Sequence, residues 1–337
     1  MNKKDIQNLK SLLSSPKKIV VIPHKNPDGD AIGSCLAIFH YLQKLNHDVT
    51  VISPNSYPDF LKWIPGEKEV LNFDYNVGQA TEIINKAELI FTLDFNDLSR
   101  VDNMKSVLEN AKADFIMIDH HQQPCDYAKI MYSDINMSST CEMVYNFIDF
   151  LEDTNKIDAD IATCIYVGIM TDTGSFRYSS TTSNTHRVIA NLIDKGAKNS
   201  EIHNLLYDTN SLSRLHLLGC ALKNLVQIEK FNTTYITLTK EELMKYDFKK
   251  GDTEGLVNYG LSLQGIKFAV IFIEDIQEGH IKISLRSKGN FSVNDFARQN
   301  FSGGGHINAA GGRSDLSMQE TVEKFKKILL NYKDELQ

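Results

Sequence analysis

Short apolar runs that alternate with helix-period stretches leave this chain few folds to adopt. Residues 19–22, 49–52, 89–93 and 115–118 are largely apolar runs of strand length, the first β-branched throughout. Runs without polar alternation are covered on both faces, which is the habit of parallel sheets. Between the first two, residues 31–45 carry Ile32, Leu36, Phe39, Leu42 and Leu45 at helical spacing, with Asn46 as a left-handed stop. Residues 83–87 and 104–111 read as helical too. Helices are then expected over 140–151, 159–170 and 184–195, the last closed by Gly196. Repetition of strand and helix means βαβ units, here a mainly parallel sheet of about five strands flanked by helices.

The pattern changes after Gly196. Residues 200–207 and 211–225 are helical with few strand signals and read as a connector. Strands follow at 234–238, 267–273 and 281–285, with Glu278-Gly279 as a hairpin signal between the last two. A glycine-rich loop, Ser302-Gly-Gly-Gly-His306-Ile-Asn-Ala-Ala-Gly-Gly-Arg313, precedes a helix at 318–330. The expected organisation is a first domain over 1–195, a helical connector over 196–227 and a smaller α/β domain with a mixed sheet over 228–337. A chain of 337 residues can bury two such cores without disulfide or metal staples.

Lys and Arg total 36 against 43 Asp and Glu, a net charge of −7. That gives no general attraction to polyanions, so long duplex nucleic acid is not an expected partner. The five cysteines (Cys35, Cys125, Cys141, Cys164, Cys220) have no metal or disulfide spacing and read as reduced thiols. No apolar run reaches the ~18 residues of a membrane span, and the first residues lack the apolar core of a signal peptide. A cytoplasmic protein without membrane contact is expected, with a homodimer the default assembly.

Acids and histidines gather where the strands end. His24-Lys-Asn-Pro-Asp28-Gly-Asp30 follows the first strand, Asp94 the third, and Asp119-His120-His121 the fourth. Asp172 ends the 159–170 stretch. The carboxyl ends of a parallel sheet line one crevice, where ligands bind. Taken singly, each group has a plain structural use: Asp30 can cap the helix that starts at Ala31, Asp119 can cap a turn, and a histidine can be hydrogen-bonded core. Taken together, so many carboxylates repel one another unless a cation sits among them. Oxygen and imidazole donors without thiols suit Mn²⁺ or Mg²⁺ better than Zn²⁺.

His24-x-x-x-Asp28-x-Asp30, Asp94, Asp119-His120-His121 and Asp172 resemble the four motifs of the DHH phosphoesterase superfamily. Gly303-Gly-Gly-His306-Ile-Asn-Ala-Ala-Gly311 is similar to the signature of the C-terminal domain that accompanies part of it. Size and arrangement are closest to the branch of nanoRNases (oligoribonucleases) and pAp phosphatases. Phe95 departs from the pattern, standing where a small hydroxyl residue is usual. The resemblance implies two divalent ions, Mn²⁺ foremost and Mg²⁺ next. His24, Asp28 and Asp94 would hold one; Asp30, Asp94, His120 and Asp172 would hold the other, with Asp94 bridging. Two such ions clamp the attacking and leaving oxygens of an in-line phosphoryl displacement. Asp119 would orient a histidine ring, and His121 would act on the substrate.

In the C-terminal motif, small residues let backbone approach a phosphate. Gly303, Gly304, Gly305 and His306 are therefore candidate substrate contacts, and Arg286 is a second anion-binding candidate. Arg100, Arg177 and Arg313 are weaker ones. Tyr57, Phe60 and Trp63 read as packing rather than a base-stacking platform. The expected activity is hydrolysis of very short oligonucleotides to 5′-mononucleotides, removal of the 3′-phosphate of adenosine 3′,5′-bisphosphate, or both. Alternatives are a linear or cyclic dinucleotide phosphodiesterase, a pyrophosphatase or exopolyphosphatase, and a non-catalytic nucleotide sensor.

Overall fold

The computed structural model describes residues 1–337 apart from Gln277 and Glu278. The chain forms two compact units, Met1–Thr209 and Asn210–Gln337.

The first unit runs α1 (Lys3–Leu12), β1 (Lys18–Pro23), α2 (Gly29–Lys44), β2 (Asp48–Ser53), β3 (Leu71–Asn72), α3 (Val77–Lys86) and β4 (Leu89–Leu93). It continues with α4 (Lys105–Glu109), β5 (Asp114–Asp119), β6 (Ile130–Ser133), α5 (Thr140–Phe150), α6 (Ala159–Asp172), α7 (Ser183–Asp194) and α8 (Asn199–Tyr207). Its sheet is wholly parallel in the order β3-β2-β1-β4-β5-β6. Six strands stand where about five were expected. The edge strands are the ones sequence misses: β3 has two residues, and β6 is only alternately buried, so neither presents a continuous apolar run. Along β1, Ile19 and Val21 join the core under α2, α5 and α6, while Val20 and Ile22 join the one under α3. Both faces are thus covered, as an unbroken apolar strand requires.

Helix α2 is buried almost all round because it lies against α6 at very short range. A Cβ on Gly33 would lie 2.5 Å from the Cys164 carbonyl oxygen, and one on Gly168 would lie 2.1 Å from Cys141 Sγ. Gly33 thus lets α2 touch α6, and Gly168 lets α6 touch α5. Asp28, not Asp30, caps α2: its Oδ1 accepts from the amides of Asp30 and Ala31 at 3.1 and 3.0 Å. Asn46 and Gly196 take left-handed backbone, with φ of 64° and 107°.

The second unit contains α9 (Leu212–Lys223), β7 (Val226–Ile228), β8 (Thr233–Leu238), α10 (Lys240–Lys245), α11 (Leu256–Leu261) and β9 (Phe268–Glu274). After these come β10 (Ile281–Ser287), α12 (Val293–Asn300), β11 (Gly304–Gly305), β12 (Ala309–Ser314) and α13 (Met318–Ile328). Its sheet, β11-β12-β10-β9-β8-β7, is mixed: β8 and β9 are parallel, the other pairs antiparallel. Aromatic residues Phe268, Phe272, Phe291, Phe296 and Phe325 fill one face. Leu217, Ile236, Ile271 and Leu256 fill the other. The turn signal at Glu278-Gly279 falls partly outside the described residues, but β9 and β10 pair antiparallel on either side of it.

The glycine-rich stretch is not a free loop. Gly304 and Gly305 form β11, which pairs with β12 at the sheet edge. A Cβ on Gly303 would lie 2.0 Å from the Gly311 carbonyl oxygen, and one on Gly305 would lie 2.5 Å from that of Ala309. The glycines allow backbone to press on backbone. Such a strand carries none of the β-branched signal that reveals strands in a sequence.

Candidate metal centre

The strand order of the first sheet reverses between β1 and β4, the point at whose carboxyl ends open parallel sheets bind ligands. His24 follows β1 and Asp94 follows β4. His24 Nε2 lies 3.4 Å from Asp94 Oδ2 and 4.0 Å from Asp28 Oδ2. His24 Nδ1 donates to the Lys25 carbonyl at 2.7 Å, which turns Nε2 toward the carboxylates. Asp28 divides its oxygens: Oδ1 caps α2, and Oδ2 is the one near His24.

Across Asp94 lies a second group. His120 Nε2 is 3.5 Å from Asp94 Oδ1, 3.5 Å from Asp172 Oδ2 and 3.8 Å from Asp30 Oδ2. The other ring nitrogen of His120 is 3.2 Å from the Met137 carbonyl. Asp94 therefore turns one oxygen toward each group. Its backbone is left-handed, φ 65°, with its amide donating to the Ile118 carbonyl at 3.1 Å. Such a conformation is costly for a non-glycine residue and persists where surroundings enforce it.

Asp119 and His121 form a pair. Asp119 Oδ1 is 2.7 Å from His121 Nδ1, and Oδ2 accepts from the His121 amide at 2.9 Å. Both oxygens of this fully buried carboxylate are thus engaged by His121, and the ring that Asp119 orients is His121 rather than His120. Asn96, also buried, donates to the carbonyls of His121 and Gln122 at 3.0 and 3.1 Å and fixes the same turn. Phe95 points away from the cluster into the core on the α3 side.

Sequence reasoning missed the residues that hold the acids. Asp30 is 1% exposed, and its carboxylate lies on the N-terminus of α5. Thr140 N donates to Oδ2 at 2.7 Å and Cys141 N to Oδ1 at 2.8 Å. Ser139-Thr140 ahead of an apolar run is a legible cap signature, but nothing local says which acid it meets. Gly168 is as necessary, since a Cβ there would lie 2.6 Å from Asp30 Oδ1. Its signal was a glycine in mid-helix.

Burial pushes Asp30 well above the ordinary carboxylate range, with Asp94 and Asp172 adding repulsion. Asp172 rises to about 6, through burial first and despite His120. Burial would raise Asp94 too, but His24, His121 and His120 outweigh it and hold it low. Burial lowers the His120 imidazolium, yet Asp172, Asp94 and Asp30 carry it up to about 9. Protons held this way stand in for positive charge that the cluster demands. The two donor sets, His24, Asp28 and Asp94 on one side and Asp30, His120 and Asp172 on the other, are each close enough to share one ion. No thiol belongs to either among the described residues. Oxygen and imidazole donors with excess negative charge fit Mn²⁺ or Mg²⁺.

The remaining candidates lie in the second unit. Arg286 on β10 is opposite Ala309, and the His306 amide donates to the Ala309 carbonyl at 2.7 Å. Both therefore sit at one end of that sheet. Asn294, 1% exposed, ties β11 down by accepting from the Gly305 amide at 2.9 Å. In the first unit, Tyr57 is buried, and Phe60 and Trp63 pack against the core.

The DHH family N-terminal domain matches residues 18–169, and the DHHA1 domain matches residues 232–334. The chain belongs to the DHH family. His24, Asp28, Asp30, Asp94 and Asp119–His121 lie within the first match, and Gly303–His306 lies within the second. The bifunctional oligoribonuclease and PAP phosphatase NrnA of Thermus thermophilus is 29% identical, over 94% of this chain and 90% of its own length. NrnA of Bacillus subtilis is 28% identical, over 87% and 88%. Among solved structures, an exopolyphosphatase-related protein from Bacteroides fragilis is 41% identical, with a TM-score of 0.95 over 99% of this chain and 98% of its own. RecJ of Thermus thermophilus, solved with Mn²⁺, shares the fold at 14% identity and a TM-score of 0.54. This chain spans 56% of that one. Among the described residues, no helix is long and apolar enough to cross a membrane.

Proposed function

We propose that this DHH-family hydrolase is a phosphoesterase that acts on nucleotides with two divalent ions. It cleaves very short oligonucleotides to 5′-mononucleotides and removes the 3′-phosphate of adenosine 3′,5′-bisphosphate. One observation carries the two-ion reading: Asp94 Oδ2 faces His24 while Oδ1 faces His120, at 3.4 and 3.5 Å. A carboxylate so disposed between two donor sets is built to bridge. The NrnA relatives, named for both activities, support the choice of substrates.

Bound there, divalent cations neutralise phosphoryl charge and make the attacking water more acidic. The chain's own part is to hold the ligands with fixed tautomers and to manage a proton. Nδ1 of His24 and of His120 is turned to a backbone carbonyl, so Nε2 of each is the ligand nitrogen. In His121, Asp119 takes Nδ1, so Nε2 is the atom that exchanges a proton with the departing oxygen. The His121 side chain is 12% exposed against 5% for His120, which suits contact with a substrate. Arg286 and His306 add anion contacts in the second unit. A net charge of −7 gives long polyanions no advantage over short ones.

The test is incubation with Mn²⁺ and a panel of dinucleotide, adenosine 3′,5′-bisphosphate, cyclic dinucleotide and pyrophosphate. The first two should release 5′-mononucleotide fastest. No Mn²⁺-dependent release from either would end this reading.

A further inference from the structure

We propose that Thr140 is a positioning residue that sets the bridging carboxylate and the buried ligand Asp30 as one unit. The inference rests on the two-ion reading above.

Thr140 is the first residue of α5 and is fully buried. The cap needs of the helix are divided with care. Ser139 Oγ takes the Glu142 amide at 3.0 Å. The amides of Thr140 and Cys141, which no helix carbonyl can reach, go to Asp30. The Thr140 hydroxyl then donates to Asp94 Oδ1 at 2.9 Å.

A threonine deeper in a helix spends its hydroxyl on a carbonyl of the preceding turn. Thr171 and Thr173 do so, onto Val167 and Ile169 at 3.0 and 2.6 Å. At the first helical position no preceding turn exists, so the hydroxyl is available to another element. One residue thus ties Asp30 and one oxygen of the bridging Asp94 to the same helix end. Asp94 Oδ1 is also the oxygen nearer His120, so the effect falls on the ion held by Asp30, His120 and Asp172.

Three chains test this: wild type, Thr140→Val and Thr140→Ser. Valine keeps the shape and the amide bond to Asp30 but lacks the hydroxyl. Calorimetric Mn²⁺ titration of Thr140→Val should show one ion weakened about ten- to a hundredfold, the range for a lost hydrogen bond to a charged group. The other ion should change far less. With dinucleotide, kcat should fall while KM stays within about twofold. Thr140→Ser should restore both readouts. A purely structural role would lower Tm without separating the two ions. If wild type binds two ions and Thr140→Val binds them equally well, the positioning role is wrong. If wild type does not bind two ions, the two-ion reading fails instead.

Discussion

The two units each build a six-stranded sheet with both faces covered, yet they use polar groups in opposite ways. In the first, parallel strands end together and deliver His24, Asp94 and Asp119 to one crevice, where burial leaves Asp30 and Asp94 1% and 2% exposed. In the second, the mixed sheet ends in a glycine hairpin whose polar neighbours, Arg286 and His306, stay half-buried. Glycine serves both, at different interfaces. Gly33 and Gly168 let helix meet helix; Gly303 and Gly305 let strand meet strand. A buried charge cluster must have its charges compensated or it destabilises the fold, whereas a half-exposed anion contact remains solvated without a ligand. Damage to the first unit should therefore appear in metal binding and catalysis, and damage to the second in substrate affinity.

The largest effect is expected from Asp94→Ala. Both ions should be lost in a Mn²⁺ titration and hydrolysis should fall below detection. Unchanged binding of two ions would remove the bridge. Next, His121→Ala should keep both ions but lower kcat by on the order of 10²–10⁴, the range for a lost positioned acid. His120→Ala should instead lose an ion. The reverse pattern would exchange the roles of the two histidines.

A third, smaller effect is linkage to pH. Asp172 holds its proton to about 6, against 3.8 ordinarily, and His120 holds its own to about 9, against 6.5. Folded protein without metal thus binds these protons more tightly than the unfolded chain does. The stabilisation is complete below the unfolded values and is lost as pH rises through 6 and then 9. Tm measured in chelator should fall over that window. Mn²⁺ must displace the same protons, so its affinity should climb with pH, by up to about tenfold per pH unit per proton released. Flat affinity between pH 6 and 9 would mean that His120 is not a ligand.

Glycines give the direct contrast. Gly168→Ala places a methyl group against Cys141 Sγ and Asp30 Oδ1 and should cost about 1–3 kcal/mol, together with Mn²⁺ affinity. Gly303→Ala places one on the Gly311 carbonyl and should raise KM with Mn²⁺ binding intact. The smallest effect is expected from Arg286→Ala combined with His306→Ala: KM for dinucleotide up about tenfold, one lost charged hydrogen bond's worth, without change in the metal titration. Weakened Mn²⁺ binding in either second-unit variant would break the division of labour.

The doubly covered parallel sheet was legible in the sequence, because strands buried on both faces are apolar through their middles, as Ile19–Ile22 of β1, Leu89–Phe91 of β4 and Phe115–Ile118 of β5 are. It also placed the acids and histidines after strand ends, since chain order and strand length are local properties. Long-range packing settled the rest. The edge strands β3 and β6 and the hairpin of β11 and β12 had no legible signal, because pairing there depends on the neighbouring strand rather than on side chains. Which histidine meets Asp119, and that Asp28 rather than Asp30 caps α2, are choices between residues one or two apart that a motif cannot rank. Thr140 lies 110 residues from Asp30 in the chain, and only the close approach of α2 to α6 and α5 brings the two together. Long-range electrostatic partnership leaves no periodicity to read, so packing alone makes the centre one site.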